Sequence, residues 1–279
     1  MKLSVVIPAY NEQENIGPCL QELTAVLNGP EPIPHEIIVV DDNSRDGTAD
    51  VVRAFQQAHP QVRLVRRQPP GGFGRAIRAG LAAVQGDVVV VYMADLSDDP
   101  QDVVLYYRKI CEGYDCVYGS RFVRGSRVEQ YPWFKLFVNR IVNTGIRWLF
   151  WTRFNDLTNA FKAYRTEVIR ACGPYTACHF NITLEMSLGA LNRDYRIIQV
   201  PISWYGRKWG STNLRLKEMG RRYLATLLMT YGQRLLIRDD LVAEKHGSQQ
   251  VTCEPPINEP LPCCSRESNP PVSSSLSAI

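Results

Sequence analysis

The chain has 279 residues, 45% of them apolar, and its formal net charge at pH 7 is +4. This length and composition allow one large α/β domain or two small ones, with enough apolar residues for a packed core. No run of about 18 uncharged apolar residues occurs, which excludes an ordinary membrane-spanning helix. The mild charge neither requires nor excludes an anionic partner.

The N-terminal segment is interrupted by Pro8 too early for a secretory signal, and we interpret it as the first strand. The chain is therefore expected to be cytoplasmic, with its eight cysteines as thiols rather than disulfides. The histidines and cysteines do not have the spacing of a zinc site.

Strands and helices alternate along the first third of the chain. The predicted strands are residues 3–7, 36–40, 62–66 and 88–93, and the predicted helices are residues 14–27, 48–58 and 74–84. This alternation predicts right-handed crossovers and a mostly parallel α/β sheet with helices on both faces.

Three of these predicted strands end in polar clusters, at residues 8–12, 41–44 and 95–98. The carboxyl ends of parallel strands meet at one edge of a sheet, so the clusters predict a nucleotide-sized cleft there. Tyr10 could lie along a base, while Glu12 and Asp42 could accept hydrogen bonds from base or ribose groups.

Two stretches have both a binding and a structural interpretation. In VVVVYMADLSDDP, residues 88–100, the side chains of Asp95, Ser97, Asp98 and Asp99 could hold a divalent cation against a substrate phosphate. Alternatively, the last three only cap the helix that begins at the proline. The loop GGFGR, residues 71–75, fits either a phosphate-binding loop or a plain loop before a helix.

Two amphipathic helices are predicted near residues 131–151 and 214–237, and both combine aromatic and apolar residues with lysine and arginine. Such a helix can lie in the headgroup region of a membrane or pack on the core of its own protein. In the first helix, the apolar positions are Trp133, Phe134, Phe137, Ile141 and Trp148.

From about residue 243 the composition changes to glutamine, proline, serine, glutamate and cysteine without periodicity. We therefore expect one domain over residues 1–242 and a disordered tail over residues 243–279. Acylation of Cys253, Cys263 and Cys264 would tether the tail to a membrane, but no flanking motif supports it.

Several motifs, in order and at similar spacings, resemble those of glycosyltransferase family 2, whose members have the GT-A fold. They are VIPAYNE, VVDDNSRDGT, the glycine loop with AIRAGL, VYMADLSDDP, GSRF, DLTNAFKAYR and VPISWYGRKWGSTN. The most similar branch is the dolichol-phosphate mannose synthases and other polyprenyl-phosphate sugar synthases. The resemblance covers approximately residues 3–237.

This resemblance implies roles for individual residues. Asp95 corresponds to the second acid of the family's Asp-Ala-Asp motif and would anchor the metal and the diphosphate. Asp156 would position the sugar or the lipid phosphate, unless it is a buried structural cap. The arginines that match phosphate-holding positions are Arg121 and Arg207. The remaining matches to donor-binding positions are Pro8, Tyr10, Glu12, Val40, Asp42 and Ala94.

Two positions depart from the family pattern. Met93 replaces the first acid of the Asp-Ala-Asp motif, and Ser97, Asp98 or Asp99 are the candidates to complete the metal ligands. The late Ser-Lys pair of the family is Thr212-Asn213 here, with Lys208 or Arg215 as candidate replacement cations. These departures leave open a weaker metal requirement, a different donor or an impaired enzyme.

The resemblance implies an inverting transferase that moves a hexose, with mannose favoured, from GDP-mannose to dolichyl or polyprenyl phosphate, using Mg²⁺ or Mn²⁺. The alternatives are a UDP-glucose or UDP-GlcNAc polyprenyl-phosphate transferase, and a catalytically silent nucleotide-sugar-binding partner. We expect peripheral contact with the cytoplasmic face of a membrane, no nucleic-acid partner, and a membrane protein as a further candidate partner.

Overall fold

The computed structural model describes residues 1–206 and 216–247. Several residues singled out above lie outside these ranges, so their roles stay predictions. They are Arg207, Lys208, Thr212, Asn213 and Arg215, together with the tail cysteines Cys253, Cys263 and Cys264.

The strands, in chain order, are β1 (Leu3–Ala9), β2 (His35–Asp41), β3 (Val62–Arg66), β4 (Val88–Val91), β5 (Cys116–Ser120), β6 (Arg127–Val128), β7 (Lys162–Arg165), β8 (Ile197–Pro201) and β9 (Ser203–Trp204). The helices are α1 (Gln13–Leu27), α2 (Thr48–Ala58), α3 (Phe73–Ala82), α4 (Pro100–Cys111), α5 (Trp133–Phe150), α6 (Thr166–Cys172), α7 (Ile182–Asn192), α8 (Leu216–Leu236) and α9 (Arg238–Gly247).

Within the described residues, the central sheet has seven strands in the order β3-β2-β1-β4-β7-β5-β8. Neighbouring strands are parallel except around β7, which is antiparallel to both β4 and β5. Strands β6 and β9 form a separate parallel pair. The prediction of a mostly parallel α/β sheet is confirmed.

Helices cover both faces of this sheet because successive side chains of a strand point to opposite faces. On β1, Val5 and Ile7 pack with apolar residues of α1, α2 and α4, whereas Val6 packs with those of α3, α5 and α7. Both β1 and β4 are buried along their whole length. Burial on both faces explains why these strands are continuous apolar runs.

The structure differs from the sequence expectation at several element boundaries and in the later strands. β4 ends at Val91 rather than at residue 93, because the chain turns through Leu96, whose φ is +60°. Strands β5 to β9 were not predicted. Helix α9 continues to Gly247, past residue 242, where the tail was expected to begin.

Candidate active site

The carboxyl edge of the sheet gathers the predicted polar site residues. Strands β1, β2, β4 and β5 run in the same direction, so the residues that follow them lie along one edge. Strand β7 runs in the opposite direction, which brings the residues before it to the same edge. The residues placed there are Glu12, Asp42, Asp95, Arg121 and Asp156.

Two carboxylates lie close together after β4. Asp95 is 9% exposed, and its Oδ1 accepts a hydrogen bond from the Ser97 amide at 3.2 Å. Asp98 is 4% exposed, and its Oδ2 accepts one from the Met93 amide at 3.2 Å. Burial, and next the charge of Asp95, raise the pKa of Asp98 well above its usual value. The Asp98 carboxylate therefore lies against the backbone of Met93, the position at which the family motif has an acid that this chain lacks.

The neighbouring Asp99 has a different task. It is the N-cap of α4, and its side chain accepts a hydrogen bond from the Gln101 amide at 2.9 Å, with Pro100 in the first turn. The helix-cap interpretation is therefore right for Asp99. Ala94 and Ser97 are both buried within the turn.

The side-chain oxygens after β4 are of the type that suits Mg²⁺ or Mn²⁺, because proteins often bind these cations through one or two carboxylates together with substrate phosphates and water. Asp95 and Asp98 supply two carboxylates, and Ser97 supplies a hydroxyl. Over residues 1–206 and 216–247, no three histidine, cysteine or acidic side chains gather as a metal site. These residues fit a cation whose remaining ligands come from the substrate.

Arg121 and Asp156 form a buried ion pair beside these acids. The Arg121 Nε and Nη2 atoms donate to Asp156 Oδ2 and Oδ1 at 2.8 and 2.7 Å, and the Arg121 amide also donates to Oδ2. Its guanidinium lies 5.4 Å from the ring centres of both Phe122 and Tyr131. Burial alone would lower the pKa of Arg121, but the charge of Asp156 raises it above its ordinary value.

The predicted nucleotide-binding residues have unequal exposure. Pro8 and Val40 are buried register partners on β1 and β2, so their side chains support the edge from within the sheet. Glu12 is also buried, and its Oε2 accepts a hydrogen bond from Asn15 Nδ2 at 2.6 Å. Tyr10 is 45% exposed. Among these four residues, Tyr10 is the one whose side chain is open to a ligand without rearrangement.

Asp42 organises the glycine loop. One carboxylate oxygen pairs with Arg67, and the other accepts a hydrogen bond from the Gly72 amide. Gly72 has a φ of +149°, and a Cβ there would lie 2.4 Å from the Cys178 carbonyl oxygen. The amides of Gly74 and Arg75 donate to the same carbonyl. Because these amides are already used, the structure favours a plain loop before α3 over a phosphate cradle.

Lys162 was not singled out from the sequence. Its side chain is fully buried, and its Nζ donates to the Leu157 carbonyl and to Ser187 Oγ, both at 2.6 Å. The ring of Tyr118 lies 5.0 Å away. Burial lowers the pKa of Lys162 to about 7, although the charge of Asp156 opposes this shift. A short lysine-containing motif in a strand gives no sequence signal of such burial.

Lys162 makes stability depend on pH. Unfolding returns the amine to a higher pKa, so above pH 7 the unfolded chain binds more protons than the folded one. This group therefore makes the free energy of unfolding rise with pH, by up to about 1.4 kcal/mol per pH unit. Urea unfolding at pH 7, 8 and 9 should show a flatter rise for Lys162→Met than for the wild type or for exposed Lys135→Met. Equal slopes would contradict the assignment.

Helices α5 and α8 carry exposed apolar side chains. Trp133 and Trp148 of α5 are each 79% exposed. Over the described residues, the large exposed apolar side chains other than Met1 and Tyr10 lie between residues 133 and 151 or between 224 and 237. Packing on the protein's own core therefore does not account for the outer face of α5. Within the same described ranges, no helix has the length and apolarity needed to cross a membrane.

An open cavity of about 650 Å³ lies between α1 and the start of α4. Its lining includes Leu96, Asp98 and Asp99 from the turn after β4, and Tyr205 and Gly206 beyond β9. The cavity therefore reaches the acid-rich turn from the side of α1.

Comparison with known proteins identifies the family to which this chain belongs. The chain belongs to glycosyl transferase family 2, whose model matches residues 4–173. This membership is the one that the sequence motifs predicted.

Two relatives are similar over most of the chain. It is 31% identical over 226 residues to the dolichol-phosphate mannosyltransferase of Pyrococcus furiosus, a match that covers 78% of this chain and 61% of that protein. It is also 31% identical over 216 residues to the polyprenol monophosphomannose synthase of Mycolicibacterium smegmatis, covering 75% and 80%. The chain thus spans less than two thirds of the length of the Pyrococcus relative.

Solved structures share the fold. A glucosyl-3-phosphoglycerate synthase from Mycobacterium tuberculosis, in complex with uridine diphosphate, superposes with a TM-score of 0.63 at 24% identity, covering 83% of this chain and 80% of that one. Other structures of that synthase contain Mn²⁺ or Mg²⁺ together with uridine diphosphate.

Proposed function

We propose that the chain transfers mannose from GDP-mannose to the phosphate of a polyprenyl or dolichyl lipid, with inversion at the sugar carbon. The names of the two relatives described above, a dolichol-phosphate mannosyltransferase and a polyprenol monophosphomannose synthase, support the sugar and the lipid class. The observation that carries the proposal is the convergence of Asp95 and Asp98 with the buried Arg121–Asp156 pair at one edge of the sheet.

Asp95 and Asp98, with Ser97, are the residues that would hold Mg²⁺ or Mn²⁺. When bound, the cation would neutralise charge that develops on the departing diphosphate. The Mn²⁺ and Mg²⁺ complexes of the Mycobacterium synthase support this choice of cation. Asp98 is favoured over Asp99 as the second carboxylate, because Asp99 is already used to cap α4.

Arg121 supplies fixed positive charge close to the acidic turn, since its charge and that of Asp98 interact. A preoriented cation of this kind stabilises negative charge that develops on a leaving group or on an attacking phosphate. Asp156 orients the guanidinium through two hydrogen bonds. We assign Asp156 a positioning role and Arg121, together with Arg207, a phosphate-binding role.

The acceptor itself explains why a general base is dispensable. The oxygen of a lipid monophosphate is already anionic near pH 7, so it can attack the sugar without first losing a proton to a side chain. The chain's task is then to bring two phosphate-bearing substrates together. On the donor side, we assign the stacking on the base to the exposed ring of Tyr10. Glu12 and Asp42, whose carboxylates bind Asn15, Arg67 and the Gly72 amide, would support the donor site from within the protein.

A donor panel tests this proposal. We expect the full chain to turn over GDP-mannose with a short polyprenyl phosphate in the presence of Mn²⁺, and to lose activity when the metal is chelated. Turnover with UDP-glucose or UDP-GlcNAc, but not with GDP-mannose, would show that the donor is a UDP-sugar rather than GDP-mannose. Nucleotide binding without any turnover would instead favour the catalytically silent partner, which Met93 and Asn213 make a candidate.

We also propose that the exposed faces of α5 and α8 rest on the cytoplasmic face of a membrane, where the lipid acceptor resides. Tryptophan and aliphatic side chains beside lysine and arginine are typical of helices that lie in the headgroup region. A membrane protein seated on the same faces is the alternative partner.

Vesicle flotation tests the membrane contact. We expect Trp133→Ala combined with Trp148→Ala to reduce binding to anionic phospholipid vesicles at least about tenfold, because both exposed rings are lost. Lys135→Ala combined with Arg147→Ala, on the same helix, separates charge from apolar insertion and should weaken binding mainly at low salt. Unchanged flotation of the tryptophan variant would contradict the proposal.

A further inference from the structure

The segment that follows Asp156 is held by two buried side chains from different elements. Asn143 of α5 is 1% exposed, and its Oδ1 accepts hydrogen bonds from the amides of Leu157, at 2.7 Å, and Thr158, at 3.4 Å. From the other side, Lys162 Nζ donates to the Leu157 carbonyl at 2.6 Å. The backbone immediately after Asp156 is therefore fixed through both its donors and its acceptor.

The remaining polar atoms of Asn143 are also occupied. Its Nδ2 donates to Asn139 Oδ1 at 3.0 Å and to Thr158 Oγ1 at 2.9 Å. A buried amide is costly to desolvate unless its hydrogen bonds are made. An apolar side chain of similar volume would fill the same space without that cost. The asparagine is therefore explained by the backbone amides it binds rather than by packing alone.

These contacts lead directly to the ion pair of the site. Asn143 orients the Leu157 amide, which is bonded to the Asp156 carbonyl carbon, and Asp156 in turn orients the Arg121 guanidinium. We propose that Asn143 is a positioning residue for Arg121, acting through the backbone of residues 156–158. This inference rests on the proposed function, in which Arg121 holds a phosphate.

The placement also gives α5 a second role. One face of α5 carries the exposed Trp133 and Trp148, and its buried face carries Asn143. The helix proposed to contact the membrane thus contributes the side chain that orders the segment after Asp156.

The test compares three variants of the full chain in the sugar-transfer assay. Asn143→Leu keeps the volume and removes the acceptor, and we expect kcat to fall roughly 10- to 100-fold while the KM for GDP-mannose changes less than about twofold. Asn143→Asp keeps an acceptor oxygen for both amides but loses the donor to Asn139, so it should recover part of this loss. The matched control is Asn192→Leu, which removes a buried asparagine that binds the Thr230 carbonyl, and it should leave kcat within about twofold.

Amide hydrogen exchange provides a readout that does not depend on turnover. In Asn143→Leu, the peptide covering residues 155–161 should exchange faster than in the wild type, and in Asn192→Leu it should not. Unchanged exchange, or a kcat equal to that of the wild type, would overturn the inference. An inactive wild type would contradict the proposed function, and exchange would still decide whether Asn143 orders this segment.

Discussion

Asp156→Ala is expected to lower the free energy of unfolding by roughly 3–5 kcal/mol, the typical effect of removing one partner from a buried ion pair. Asp156 is fully buried, and both of its oxygens bind Arg121. Its removal leaves the guanidinium without a counter-charge in a poorly solvated position. Urea unfolding at pH 7 measures the change.

Two further variants make this result specific. Glu31→Ala removes the partner of Arg108 in an exposed ion pair, and it should cost at most about 1 kcal/mol. A double variant, Asp156→Leu with Arg121→Leu, should recover much of the loss, because no buried charge remains. A cost below about 1 kcal/mol for Asp156→Ala would show that the pair is not important for stability.

Asp95→Asn is expected to reduce kcat/KM for sugar transfer roughly 10²- to 10³-fold, the usual effect of losing one group that stabilises transition-state charge. The amide keeps the size of the side chain and removes the negative charge that would hold the cation. Stability should not fall, because the substitution relieves repulsion between residue 95 and Asp98. Steady-state kinetics over a range of Mn²⁺ concentrations measures the effect.

The matched control is Asp99→Asn. Asparagine is as good an N-cap as aspartate, so this variant should keep both the start of α4 and the activity. If Asp95→Asn retained wild-type kcat/KM at every metal concentration, the metal assignment would be wrong. Equal losses in both variants would mean that the total negative charge of the turn matters, rather than a specific role of Asp95.

The first part of the fold could be predicted from the sequence because its signals are local. Valine-rich runs, polar strand ends and alternating amphipathic segments specify β1 to β4 and the helices between them. Strand β7 could not be predicted in this way, because it is only four residues long and two of them are Lys162 and Arg165. Its pairing depends on neighbours that are distant in sequence.

The candidate site, too, could be predicted only in part from the sequence. Residue type and position after a strand were sufficient to select Asp95, whereas Arg121 and Asp156 were selected by the resemblance of their motifs to the family. The use of each carboxylate was not predictable, because it depends on contacts between distant segments. Asp42, for example, was expected to face a nucleotide, and its oxygens instead bind Arg67 and the Gly72 amide. Asn143 gave no signal because it lies within an amphipathic helix.

The Arg121–Asp156 pair also closes a long excursion of the chain. The backbone leaves the sheet at the end of β5 and returns just before β7. The two ends of residues 122–155 are joined by that ion pair and by hydrogen bonds of Asn155 with Ser120 and Phe122. Because α5 packs Ile146 and Phe150 into the core and β6 pairs with β9, the excursion folds together with the sheet rather than as a separate insertion. A change in its length would therefore disturb both the ion pair and the buried face of α5.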